Sequence, residues 1–198
     1  MQKIMFNDAL GLTQAVLEGR KTQTRRVAIY EDIKCPNVGW ALKGKDKGKR
    51  VLCKGVQVVA MSAYAKGEVV AIAQSYEDIL KEVVGENADK ITFNNLFYET
   101  HSRAGLKNKM FVKADIMRHH IKITNIRVER LQDISVCDCY AEGISYHGTR
   151  TDGLNFTYDN SNFFATAKDA YQALINKLDK QMWKRNPFVF VYDFELVD

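Results

Sequence analysis

The sequence predicts an α+β fold: a mostly antiparallel, partly closed β-barrel with helices on its outside and long loop insertions. Three observations predict it. The closing run FVFVYDFELV alternates, with Phe188, Phe190, Tyr192, Phe194 and Leu196 on one face and Val189, Val191, Asp193 and Glu195 on the other, the period of a strand that buries one face heavily. The run HIKITNIRVERL alternates at Ile121, Ile123, Ile126 and Val128 with a break at Asn125, which suits a long antiparallel strand bent by a bulge and crossing the sheet centre. Between these strands stand helices opened by capping-box spacings, Ser135 with Asp138 and Thr166 with Asp169.

In chain order, Ala9, Leu12, Val16 and Leu17 follow helical spacing, with Asn7 or Asp8 as N-cap and Gly19 as the stop. GRKTQTRR therefore starts where a helix ends. Residues 34–50 are rich in Gly and Lys with no apolar period, reading as a solvated loop or a nucleic-acid contact. A strand is expected near 56–61 and a buried one at 67–75 after a Gly turn, followed by a short helix at 76–84 stopped by Gly85. An irregular excursion runs to residue 108. Residues 144–165 form a Gly-, Asn- and Asp-rich insertion whose Tyr146, Phe156, Tyr158, Phe163 and Phe164 either stack on a base or staple the loop to the core. Ala170, Tyr171, Leu174, Ile175, Leu178 and Met182 give an amphipathic helix ending before Asn186-Pro187. No internal repeat interrupts the reading of 1–198 as one domain.

The chain has 29 Lys and Arg against 24 Asp and Glu, a formal charge of +5. This excess favours anionic partners: nucleic acid, nucleotides or nucleosides. The N-terminal residues hold no long apolar run, so neither signal peptide nor membrane span is expected and the protein is placed in the cytoplasm. Cys35, Cys53, Cys137 and Cys139 lack zinc-ribbon spacing and read as free cytosolic thiols, so no metal is expected. There is no Gly-rich phosphate loop and no G-x-S-x-G elbow. No cofactor and no obligate protein partner is implied.

Four segments, VLEGRKTQTRR, YAKGEVVAIAQS, ITNIRVERLQDISVCDCYAEGI and WKRNPFVFVYDFELV, cover about a third of the chain in order. Together they resemble ASCH-domain proteins of the PUA-like superfamily, especially those of bacteria and their phages. A small bacterial ASCH enzyme hydrolyses the acetyl amide of N4-acetylcytidine with a lysine, a threonine and a glutamate. The resemblance carries these roles onto Lys21 and Thr24 in GRKTQT and onto Glu142 in CYAEG. This chain is much longer, with insertions near 31–55, 76–108 and 144–165. These are places where a different pocket, a larger substrate or a cap on an unreactive site would be built.

Amide hydrolysis needs a nucleophile, a base for its proton and an acid for the departing amine. Thr24 would attack, and Lys21, its pKa lowered by burial and by the field of Arg20, Arg25 and Arg26, would take the proton. Glu142 ends a helix, where the macrodipole disfavours negative charge, and so suits the acid. Residues three apart on a strand point to opposite faces, so Lys21 and Thr24 converge only across a turn or bulge. The alternative function is a non-catalytic module for RNA or a modified nucleotide, with Arg20, Lys21, Arg25 and Arg26 holding phosphate. The plain reading pairs Glu142 with Arg25 or Arg26 and lets Arg20 and Lys21 neutralise the helix end. His119 and His120 are expected to place one polar histidine inward. Trp40, Tyr64 and Trp183 either stack a base or pack at core edges.

Overall fold

The computed structural model describes residues 1–28, 50–53, 56–59, 62–84, 103–148 and 151–198. The loop through residue 49 with Trp40 and Cys35, and the irregular stretch at 85–102, lie outside the described residues. The architecture is α+β. Nine strands occur among the described residues: β1 (Lys3–Ile4), β2 (Gln23–Val27), β3 (Arg50–Cys53), β4 (Val56–Val59), β5 (Val69–Ile72), β6 (His120–Arg130), β7 (Ser145–Tyr146), β8 (Phe156–Thr157) and β9 (Phe188–Leu196). The helices are α1 (Leu12–Leu17), α2 (Tyr76–Val84), α3 (Val136–Ala141), α4 (Ala167–Leu178) and α5 (Met182–Arg185).

The main sheet runs β1-β5-β6-β9-β2, antiparallel except where β1 lies parallel to β5. β6 is its centre, and the β6–β9 register slips between Ile123 and Asn125, the bulge that the broken alternation predicts. The sheet is open, a correction to the expected partial barrel. Its edges are β1, only two residues long, and β2 at the far side, while β3 and β4 pair with each other as a separate ribbon. No described strand is left to join the two edges.

Apolar side chains leave the sheet in both directions. One core takes Ile4, Val16, Ile72, Ile121, Ile123, Phe190, Tyr192 and Phe194. The second takes Val189 and Val191 with Leu131, Cys139, Tyr171 and Leu174 beneath α3 and α4. β9 is thus buried on both faces through Val191, where alternation alone predicts one buried face; β-branched residues opposite the aromatics make the second face equally apolar. The buried Tyr192 hydroxyl is satisfied by the Ser62 hydroxyl at 2.9 Å and the Ala63 N–H at 3.2 Å.

α1 begins later than its spacing implies. Asn7 caps a 3-10 turn at Asp8–Leu10, and Gly11 takes φ +66 before the helix starts at Leu12. Only glycine enters that left-handed geometry without strain, so it divides the turn from the helix. The caps of α3 and α4 form as the spacings predict: Ser135 with Asp138, a full capping box, and Thr166 accepting from Asp169 N at 3.1 Å. The aromatic insertion is stapled down, with Tyr146 against Phe156 at 5.1 Å and Phe156, Tyr158 and Phe164 packed on the second core.

Candidate active site at the Lys21–Glu142 pair

α1 stops at Gly19, whose φ is +72, and the chain then passes between three elements that fix its backbone. Lys21 N–H donates to the Ala15 carbonyl at 2.9 Å and Thr22 N–H to Ala141 at 2.8 Å, while the Thr22 carbonyl accepts from Phe194 N–H at 2.9 Å. Opposite, Glu142 is the C-cap residue of α3, its N–H bonded to Asp138 at 2.9 Å. Gly143 turns the chain away with φ +104, and a Cβ there would stand 3.6 Å from the Lys21 Cβ. Space is adequate but the backbone angle is not, so Gly143→Ala is expected to cost about 1–3 kcal/mol. A thermal melt checks this; an unchanged melting temperature contradicts it.

These turns bring Lys21 and Glu142 together across 121 residues of sequence. Lys21 Nζ donates to the Glu142 carbonyl at 3.0 Å and to its carboxylate. Lys21 is 2% exposed and Glu142 4%. Arg25, also buried, donates to Glu142 Oε1 at 3.1 Å, to Glu129 Oε1 at 2.6 Å, to the Gln23 side-chain carbonyl, and lies 3.4 Å from Asp138. The Gln23 amide donates to Asp138 at 2.8 Å and Asp193 at 2.6 Å. Arg127 closes the outer end on Asp138 at 2.8 Å and Asp193 at 2.9 Å.

Three cations, Lys21, Arg25 and Arg127, thus face four carboxylates, Glu129, Asp138, Glu142 and Asp193. The cluster carries a formal excess of negative charge and is poorly suited to an anionic ligand. Burial lowers the Lys21 pKa against the opposing attraction of Glu142, with Arg26 and Arg25 adding to the lowering. Burial pushes the Cys139 thiol up to about 11, which keeps it protonated and inert.

Burial opposes ionisation of Asp138, but the Gln23 amide, the Ser135 hydroxyl, Arg127 and Arg25 together hold it down to about 2. Its folded pKa lies below its unfolded one, so the stability it contributes is present above the ordinary carboxylate range. That stability is lost as pH falls towards about 2. Asp138→Asn is expected to flatten the acid limb of stability between about pH 4 and 2. Urea titrations across that range measure it, and an unaltered slope would contradict the assignment.

Of the residues singled out in the sequence, Lys21 and Glu142 are brought into contact and Arg25 joins them. Thr24 is buried, 5% exposed, and its hydroxyl makes no hydrogen bond among the described residues. The register sets Thr24 opposite Tyr192 and Arg26 opposite Phe190, while Gln23 and Arg25 oppose Asp193 and Val191. Thr24 therefore occupies the face of β2 opposite Arg25. Arg26 donates to the Met5 carbonyl. Arg20 is exposed and pairs with Glu18 at 2.6 Å. The four cations do not share one surface.

The inward histidine is corrected. His119 pairs with Glu82 at 3.1 Å and His120 with Asp198, both partly exposed, because carboxylates at the sheet rim draw them outward. Tyr64 packs edge-on against Tyr192 at 5.2 Å and Trp183 against Tyr171 at 6.3 Å, so both are packed aromatics. Gln23, Glu129, Asp138 and Tyr171 were not singled out as site residues. The signal available was parity, since Gln23 shares the Arg25 face; Asp138 reads locally only as a helix cap. A cleft of about 230 Å³, lined by Asp8, Thr13, Gln14, Gln74, Asp78 and Glu82 among others, does not include Lys21, Thr24 or Glu142.

Among the described residues no helix is long and apolar enough to cross a membrane. No family model matches the chain, and neither does any curated protein or solved structure.

Proposed function

We infer that the chain is an ASCH-like, PUA-like amidohydrolase acting on N4-acetylcytidine or a related acylated base. What supports this is the buried Lys21–Glu142 contact, which joins two of the four segments on which the resemblance rests. A buried ammonium–carboxylate pair is a proton store: moving one proton from Nζ to the carboxylate leaves an amine that can act as base and a carboxylic acid that can donate. Neutral Lys21 takes the Thr24 hydroxyl proton as the oxygen attacks the acyl carbon. Glu142 protonates the amino nitrogen as the C–N bond breaks, and water then hydrolyses the Thr24 ester. Thr24 has no hydrogen bond to Lys21 and lies on the face of β2 opposite Arg25, so the reaction requires a rearrangement of residues 21–24 that turns the Thr24 hydroxyl towards Nζ in the substrate complex.

The net negative charge of the cluster favours this reading over phosphate capture, since Lys21 and Arg25 are already matched by carboxylates. The test is incubation of the protein with N4-acetylcytidine, following cytidine by chromatography. Turnover by the wild type and none by Lys21→Ala or Glu142→Ala is expected. Absence of wild-type turnover sinks the reaction for this substrate. A parallel titration with short RNA at several salt concentrations would reveal the binding alternative by its salt-dependent affinity.

A further inference from the structure

Tyr171, on α4, is fully buried in the second core, yet its hydroxyl has no hydrogen-bond partner among the described residues. The contrast with β9 is direct: the Tyr192 hydroxyl, equally buried, has two partners. A buried orphan hydroxyl carries an unrecovered desolvation cost that phenylalanine would avoid. The ring is held edge-on by Trp183, and the Arg25 guanidinium carbon lies 5.9 Å from its centroid. Arg25 in turn binds Glu142, whose charge acts on Tyr171, so the Tyr171 side chain shares one buried neighbourhood with the proton-storing pair.

We propose that Tyr171 is a positioning residue for Glu142: its hydroxyl is the spare donor that takes up the Glu142 carboxyl oxygen released when Lys21 gives up its proton and ceases to bridge. This rests on the Lys21–Glu142 reading above. The hydroxyl is idle while Lys21 occupies Glu142, and becomes satisfied in the state with neutral Lys21. The charged and titratable groups around this unit are Arg25 from β2, Glu129 from β6, and Asp138 and Cys139 from α3, with Arg26 acting from the other face of β2. Burial and the Glu142 charge raise the Tyr171 pKa well above its ordinary value, so it remains a donor through the range in which Lys21 titrates.

The experiment is Tyr171→Phe, which keeps the ring and removes only the oxygen. Its first readout needs no turnover: the Lys21 side-chain carbon is followed by NMR across pH, with Lys21→Met identifying the signal. The expected result is a Lys21 titration moved to higher pH, with a melting temperature at neutral pH that is unchanged or raised. An unmoved titration overturns the proposal, whether or not the wild type hydrolyses N4-acetylcytidine, and makes Tyr171 a packing residue. If the wild type does turn over, the variant's kcat on the acidic limb should fall about tenfold with KM unchanged. A loss that appears in KM alone also overturns the proposal.

Discussion

Glu142→Ala is expected to lower stability by about 3–5 kcal/mol, because it leaves a buried ammonium without its carboxylate and deprives Arg25 of one of its acids. That is a large part of the stability of an ordinary domain. Breaking one partner of a buried pair costs far more than replacing both with well-packed apolar groups. The double variant Lys21→Met with Glu142→Leu should therefore recover most of the loss, since Arg25 keeps Glu129 and Asp138. Chemical denaturation of the three proteins measures this. The recovered double variant should still fail to release cytidine from N4-acetylcytidine. Activity in a protein lacking both groups would leave the pair as scaffolding alone.

Thr24→Val is expected to do the reverse, removing function while leaving the fold. The Thr24 hydroxyl makes no hydrogen bond among the described residues, so a near-isosteric methyl in its place should change stability by less than about 1 kcal/mol. Loss of the nucleophile should reduce turnover by roughly 10³-fold or more. Single-turnover assays beside a thermal melt separate the two effects. A variant that melts normally and still turns over at the wild-type rate would show that Thr24 is an ordinary strand residue, with a water attacking in its place.

Much of the sheet was legible because its information is local. The parity of β9 and the stumble at Asn125 in β6 can be read from a dozen residues, and the structure places both strands accordingly. The start of α1 is not legible, because apolar spacing runs through Gly11 without registering its left-handed backbone. The second buried face of β9 is not marked by alternation, because Val189 and Val191 share it with the charged Asp193 and Glu195 although both valines are core residues. At the site, local patterns placed Lys21 after a helix stop and Glu142 at a helix end. Nothing in their spacing says that they touch, and only the resemblance to ASCH proteins paired them. Glu129 and Tyr171 come from other elements, and no periodicity marks either as a neighbour of that pair. The same parity rule that places Gln23 beside Arg25 puts Thr24 on the other face of β2.

The order of strands has a consequence for biosynthesis. β2 leaves the ribosome well before β9, which is its only partner in the sheet among the described residues. Until β9 arrives, the edge of β2 is unpaired and the Lys21 turn lacks the Phe194 amide that pins Thr22. The nascent chain must therefore carry an open strand and an unassembled cation until β9 has been made, a window in which long-range sheets are prone to aggregate. Expression is thus expected to respond to translation rate and to chaperone supply more than the modest size of the chain suggests.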